Sequence, residues 1–456
     1  MESTSRRLAA YVAALSFEDL DDGVVERTAE VVLDTVGCAI GGFTSPPAKA
    51  LREEYAAHSG GDPARIAGTD RAVPVEYAAL INATMARYLD YNDCYMGPDG
   101  ACHPSDHVLA LVSVAEAEGA TGAELVEAIV TAYEVQCLGM DQAPVRAQGF
   151  DYVAWGGYSS AAAVGKLMGL DADELVNAIG IAGTANAPLY VGRRDSVSMW
   201  KGVAHPYVTH NAIQACQMAR AGVTGPAEVF DGTFGFREVV SPNELTFGDP
   251  PAGDGYRIME TSLKYYACGY YIHSSVAAVL ELLDAYAFDP TDVESIRVNT
   301  FDHAATVLAT PDKWSTTQNR ETADHSIPYT VAAALVDGEV TPRQYASDRL
   351  RDPSIHGVMK SVTVDADPEL TAHRESNPKH IPARVTIEVD GAEYTARVDA
   401  PLGHAERPMS DEQLDAKFRS LCDGLLEEAA IDDAIEHSRN VHRLETVDGL
   451  LDALVV

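Results

Sequence analysis

The sequence predicts a mainly α protein with a second α+β domain: a large all-helical domain built from both chain ends (1–262 and 402–456) and a smaller α+β domain between them (263–401). Three observations carry this. Apolar side chains recur at three- and four-residue spacing through most of the first 260 residues. The run Asp249-Pro250-Pro251-Ala252-Gly253-Asp254-Gly255 then breaks the pattern and reads as a domain edge. Beyond it, alternation of period two takes over before helical spacing returns at the C-terminal end.

Taken in order, helical spacing covers 6–16, 22–41, 76–90, 106–117, 123–138, 157–169, 173–184 and 202–221. Gly/Pro/Asp-rich breaks at 43–48, 58–63, 97–100 and 118–122 separate these runs. Segment 270–286 is helical again. Ser295 to Phe301 and Ser361 to Val364 alternate like strands. Val385, Ile387 and Val389 alternate, Asp390-Gly391 supplies a turn, and Tyr394, Ala396 and Val398 alternate back, so 383–399 is a hairpin. Residues 327–336, 411–428 and 440–454 show helical spacing. The C-terminal helices are too few to bury their own apolar faces, so they are expected to pack on the first domain.

Composition excludes several classes. At 456 residues the chain exceeds one ordinary core, and its 46% hydrophobic content is that of a globular protein. No apolar run is long enough to span a bilayer, and no h-region follows the start, so neither a membrane partner nor secretion is expected. With 69 acidic and 33 basic residues the net charge is −36, and no basic cluster offers a face for nucleic acid. Eight of the basic residues are lysine; a dispersed acidic, lysine-poor surface is that of a halophilic protein. Seven cysteines without a Cys-x-x-Cys pair point to a reducing, cytoplasmic compartment. The spacing of Cys94, Cys102, His103 and His107 matches no standard zinc pattern, so no metal is expected.

The most informative stretch is Leu89-Asp90-Tyr91-Asn92-Asp93-Cys94 followed by His103-Pro104-Ser105-Asp106. Acids, a thiol and a histidine on a loop between two apolar helices suit acid–base chemistry; the competing reading is a helix cap and a solvated turn. A second segment holds Arg193, Arg194 and Lys201 just ahead of the helix at 202–221, where unpaired N–H groups and arginine forks favour carboxylates. Its competing reading is a surface loop whose cations pair with a very acidic protein. Lys264 lies at the domain edge, His273 at a helix start, and Tyr329 in Asp324-His325-Ser326-Ile327-Pro328-Tyr329, either a donor in a cleft or a core tyrosine. No nucleotide-binding glycine loop, Walker loop, Gly-x-Ser-x-Gly elbow or His-Glu-x-x-His occurs.

In order and spacing these segments resemble the MmgE/PrpD family, whose members include 2-methylcitrate dehydratase, cis-aconitate decarboxylase and iminodisuccinate epimerase. Leu89–Cys94 with His103-Pro104-Ser105 is similar to the family's Leu-Asp-Phe-Asn/Asp-Asp-Thr…His-Pro-Ser loop. Ser198-Met199-Trp200-Lys201 resembles its Ser-x-x-Lys helix start, and Gly222-Val223-Thr224-Gly225-Pro226 the Gly-x-Thr-Gly-Pro that follows. Lys264, Asp324–Tyr329, Glu375-Ser376 and the stretch from Pro401 to Phe418 extend the likeness over nearly the whole chain.

The resemblance implies a helical domain with an α+β lid, a homodimer, and no cofactor. It implies a cleft lined by Asp90, Asp93, His103, Lys201, Lys264, His273 and Tyr329; Arg193 and Arg194, from the cation-rich segment, and Cys94 and Ser105 are expected as further substrate-binding residues. Asn92, the His103–Asp106 run, Gly149–Val153 and Lys166–Leu170 resemble the dehydratase branch, which implies a hydro-lyase acting on 2-methylcitrate or a related tricarboxylate in propionate catabolism. A decarboxylase, an epimerase of a dicarboxylate or a non-catalytic carboxylate binder are the alternatives. Two departures are visible. Cys94 stands where threonine is usual, and no histidine lies near Asp151 or Tyr152, where the decarboxylases carry one.

Overall fold

The computed structural model describes residues 3–58, 63–193, 197–251, 253, 255–316 and 319–456. It is mostly helical with a small mixed sheet and divides into two compact units. The first comprises Met1–Asp195, Met199–Thr261 and Ser410–Val456; the second comprises Ser196–Ser198 and Ser262–Met409.

The first unit opens with α1 (Thr4–Ala14), capped by Ser3, and the buried α2 (Asp22–Gly41). Then come α3 (Pro46–Tyr55), a short ribbon of β1 (Pro63–Arg65) and β2 (Ala72–Pro74), and α4 (Val75–Tyr88). Helix α3 begins inside a stretch that the sequence presents as a break; Pro46 and Pro47 occupy its first turn, where proline loses no helix bond. The loop after α4 holds a tight hairpin, β3 (Tyr95–Gly97) against β4 (Gly100–Cys102). A single turn, Pro104–His107, leads into α5 (Val108–Glu118).

Helix α6 (Gly122–Gln142) starts at a Thr121/Glu124 capping box, and α8 (Ala172–Ala185) at an Asp171/Glu174 one. Between them α7 (Val153–Leu167) is buried from Val153 to Gly165, and α9 (Trp200–Arg220) follows α8. Small residues let these helices approach. A Cβ on Gly139 would stand 2.3 Å from the Trp155 ring, and one on Gly156 would stand 2.7 Å from His205 Nε2. The four-residue α10 (Phe236–Val239) closes this stretch.

The second unit carries a four-stranded sheet in the order β6-β5-β7-β8. Helix α11 (His273–Tyr286) precedes β5 (Val293–Thr300), and α12 (Asp302–Leu308), α13 (Arg320–Ala323), α14 (Ile327–Asp337) and α15 (Pro353–Met359) precede β6 (Val362–Ala366). The β5–β6 pair is parallel. After α16 (Pro368–Ser376) the hairpin of β7 (Ala383–Val389) and β8 (Ala392–Val398) completes the sheet. Asp390 and Gly391 both have positive φ, 51° and 73°, as a two-residue hairpin turn of the primed type requires. Ile296, Val298, Val385 and Ile387 are fully buried, which gives the sheet one core face.

The chain then returns to the first unit as α17 (Asp411–Cys422), α18 (Glu428–Arg439) and α19 (Asp448–Asp452). Both α17 and α18 pack on α2. Two corrections to the sequence reading fall here. A helix break at 423–427 replaces continuous spacing, and 440–454 is a turn plus the five-residue α19 rather than one helix. Gly424, at φ 72°, marks the first break.

The start of α6 shows how closely the returning segment is fitted. Gly122 N–H donates to the Leu444 carbonyl, and a Cβ there would lie 1.7 Å from the Val441 oxygen. Gly122→Ala is expected to lower stability by about 1–3 kcal/mol in denaturant unfolding. Gly23→Ala, whose Cβ meets nothing within 4 Å, is expected to cost nothing.

Candidate active site

The first unit places the candidate site at the C-terminal end of α4. The helix stops because Asp90, next after the C-cap residue Leu89, adopts φ 52°. Glycine is usual at this left-handed position, and a larger residue there stores of order 1–3 kcal/mol of strain. What an aspartate adds is a carboxylate turned back on its own helix. Asp90 Oδ1 lies 2.5 Å from Arg87 Nη1, Oδ2 lies 3.7 Å from Lys201 Nζ, and Oδ1 is 4.0 Å from His103 Nε2. All four residues are buried.

His103 is oriented by the main chain. Its Nδ1 is 2.6 Å from the Asp93 carbonyl oxygen, which only accepts, so Nδ1 carries the proton. In the neutral ring Nε2 then holds the lone pair, on the side of Asp90. The Tyr152 ring meets His103 edge-on at 5.8 Å, and its hydroxyl donates to Asp106 Oδ2 at 3.2 Å.

Beneath this layer lies a closed polar network. Asp93 accepts from Ser105 N (3.1 Å), Ser105 Oγ (2.6 Å) and Tyr133 Oη (2.7 Å). Asn92 donates to Ser105 Oγ at 2.8 Å and to Asp106 Oδ1 at 3.0 Å, and Arg87 Nε is 3.4 Å from Asp106. Burial pushes Asp106 up to about 7 against the lowering pull of Arg87. Burial likewise pushes Asp93 up to about 6 against its hydrogen bonds from Ser105 and Tyr133. Burial works against the charge of Arg87, but the neighbouring charge of Asp90 above all holds its guanidinium well above the ordinary value.

Two further imidazoles stand behind Tyr152. His107 is held by the Pro104 carbonyl (2.7 Å) and Ser159 Oγ (2.8 Å), and burial lowers it to about 4. His205 meets His107 edge-on at 4.5 Å; burial and then the neighbouring His107 push it well below its usual range. Both are neutral at pH 7. The sequence reading weighed His107 only as a metal ligand and set it aside, and it did not single out His205, although His205 lies four residues after Lys201 and so on the same face of α9.

The other sequence candidates fall as follows. Arg193 Nε is 2.7 Å from Asp151, Nη1 donates to the Lys201 carbonyl at 2.9 Å, and the guanidinium lies 5.3 Å from the Tyr152 ring centre. It braces the start of α9. Arg193 and Lys201 also line a cavity of about 280 Å³ with Asp151, Asn186, Trp200 and Tyr207. Both hydrogen-bonding directions of Ser105 are engaged inside the network. Cys94 is buried, its Sγ 3.9 Å from the Tyr95 carbonyl and from Met96 Sδ. Arg194 lies outside the described residues.

Lys264, His273 and Tyr329 belong to the second unit, and all three are buried. His273 begins α11 between the rings of Tyr266 and Tyr270, and its Nε2 is 3.4 Å from the Cys268 carbonyl. The Tyr329 hydroxyl donates to the Gln344 carbonyl at 2.6 Å, the wet end of an otherwise packed ring. The second unit also holds an Asp324–His325 pair at 2.5 Å that sequence reasoning quoted only as motif.

The MmgE/PrpD N-terminal domain matches residues 6–247 and the MmgE/PrpD C-terminal domain matches 266–441. The chain belongs to the MmgE/PrpD family. It is 26% identical over 398 residues to 2-methylcitrate dehydratase of Salmonella typhi, covering 82% of this chain and 81% of that one. It is 26% identical over 411 residues to 2-methylcitrate dehydratase of Cupriavidus necator (85% and 84%), and 24% identical over 469 residues to human cis-aconitate decarboxylase (98% and 93%). With relatives of this kind the chain is an enzyme of the lyase class.

The raised carboxyls have a consequence for stability. A carboxyl whose folded pKa exceeds its unfolded value contributes stability that is complete below about pH 4 and is lost as pH rises through the folded value. For Asp106 that window runs up to about 7. Asp106→Asn keeps an acceptor and removes the titration. Thermal melts between pH 4 and 8 are expected to fall less steeply with pH in this variant than in the wild type.

Proposed function

We propose that this enzyme is a metal-independent dehydratase that eliminates water from 2-methylcitrate or a closely related tricarboxylate by acid–base catalysis. One observation carries the reading. His103 is fixed with Nδ1 on the Asp93 carbonyl, and its Nε2 shares Asp90 with the ammonium of Lys201. A base beside a cation is what removal of a proton next to a carboxylate demands, because negative charge develops on that carboxylate as the C–H bond breaks.

In this reading His103 Nε2 exchanges the proton, Lys201 stabilises the charge that develops, and Asp90 holds the two in register. Asp93 acts through its carbonyl, which sets the tautomer, and its carboxylate stiffens the loop. Lys264 and Tyr329, catalytic by family resemblance, His273 and Cys94, substrate-binding by the same resemblance, and Arg194, by its charge ahead of α9, are further members of the proposed set. Tyr329 has to leave the Gln344 carbonyl to donate a proton elsewhere. Tyr152 favours dehydration over decarboxylation. It packs on His103 near the place where the decarboxylases carry a histidine, and its burial, then the charge of Asp106, raise it well above its ordinary value.

The family resemblance also implies a homodimer, and we include it in the proposal. Leu189, Val191, Met199, Trp200 and Tyr207 are between 45% and 65% exposed, a concentration of large apolar side chains around the start of α9.

With 2-methylcitrate in high salt, the enzyme is expected to give rising ultraviolet absorbance from the unsaturated product at a rate that chelator leaves unchanged. No change with either 2-methylcitrate or citrate removes the assignment; carbon dioxide release, or solvent deuterium entering the substrate without net dehydration, replaces it with decarboxylase or epimerase. His103→Ala and Lys201→Ala are each expected to lose about 100-fold or more in kcat while circular dichroism shows them folded. Near wild-type turnover in either variant removes that residue from the mechanism.

A further inference from the structure

The loop that carries Asp90 and Asp93 is gripped by a residue more than three hundred positions later in the chain. Lys417, on α17, donates from Nζ to the Tyr91 carbonyl at 2.8 Å. The same ammonium lies 3.9 Å from the centre of the Tyr91 ring and 2.6 Å from Asp34 Oδ1 on α2. All three residues are buried, with Asp34 and Lys417 side chains 0% and 3% exposed. The lysine backbone has little freedom, because α17 is pressed onto α2. A Cβ on Gly37 would stand 2.9 Å from Phe418, and one on Gly41 would stand 2.8 Å from Leu421 and 3.1 Å from Leu89.

Burying this ion pair is a weak source of stability in itself, since desolvation offsets most of the attraction. What it does locally is more specific. Tyr91 follows Asp90, whose positive φ turns the carboxylate toward Lys201 and His103. It precedes Asn92 and Asp93, which carry the network and the carbonyl that fixes His103. A bond to the Tyr91 carbonyl and a contact with its ring pin the peptide between these two halves.

We infer that Lys417 is a positioning residue that holds the Asp90–Asp93 loop in its reactive conformation from the far end of the chain. It acts through Tyr91 and touches no reacting atom. The inference rests on the proposed acid–base role of Asp90 and His103 and goes beyond it in naming what keeps them aligned.

The pair Lys417→Met and Asp34→Asn separates positioning from stability. Asp34→Asn removes the counter-charge and leaves an amine that still donates to the Tyr91 carbonyl, charged or neutral. Both variants are expected to melt below the wild type. Lys417→Met is expected to lose about 10- to 100-fold in kcat with little change in KM, whereas Asp34→Asn keeps kcat within about twofold. An unchanged kcat in Lys417→Met, or equal losses in the two variants, overturns the inference while leaving the dehydratase reading in place. If Lys417→Met does not fold, the double variant Asp34→Asn/Lys417→Met, which removes the buried charge altogether, is measured against Asp34→Asn with the same criteria. If the wild type turns over neither 2-methylcitrate nor citrate, the proposed function fails separately. Amide hydrogen exchange of residues 89–95 then decides: faster exchange in Lys417→Met than in Asp34→Asn supports positioning, and equal protection overturns it.

Discussion

A guanidinium taken almost wholly out of water is the constraint on which the candidate site depends. Arg87 is 2% exposed, and a charge so placed is tolerable only with close counter-charges. Asp90 supplies one at the cost of a left-handed backbone, and Asp106 supplies the other from the turn that starts α5. Each partner has a second commitment: Asp90 to Lys201 and His103, Asp106 to Asn92 and Tyr152. The arginine therefore fixes two carboxylates from different elements, and through them the surroundings of His103, Lys201 and Tyr152.

The charge pattern of the whole chain bears on this layout. In a chain of net charge −36 only eight of the 33 basic residues are lysine. Four of those, Lys201, Lys264, Lys313 and Lys417, are buried. The neutral histidines complement them. With His107 and His205 kept uncharged by burial, Arg87, Arg193 and Lys201 are the first unit's cations around this network among the described residues.

Much of this was legible in the sequence because it follows from local rules. The eight helical runs of the first 260 residues were visible as periodicity, and the β7–β8 hairpin as alternation around Asp390-Gly391. The loop from Asp90 to Asp106 stood out by its chemistry. What escaped depended on partners distant in sequence. The β3–β4 ribbon spans three residues a side, too few for a pattern, and α3 was hidden by the prolines of its own first turn. Arg87 was not singled out, although an arginine three before an aspartate at a helix end was a usable sign. Arg193 was read as a ligand-binding cation or one paired with the protein's own acids, and the partner, Asp151, lies forty-two residues earlier, beyond local pattern. The break between α17 and α18 left no interruption in apolar spacing, only a glycine.

The return of the chain to its first unit has a consequence for how the protein is made. Helix α2 is synthesised near the start, but the helices that cover it, α17 and α18, emerge only after the whole second unit. During translation its apolar flank, including the small surfaces of Gly37 and Gly41, waits without its final neighbours. Loop closure over such a separation is entropically costly and slow. The first unit is thus sequence-contiguous for most of its length and still cannot complete its core until translation has passed residue 410. In the interval before α17 and α18 emerge, the flank of α2 that they cover is apolar surface of the kind that makes incomplete folds prone to aggregate.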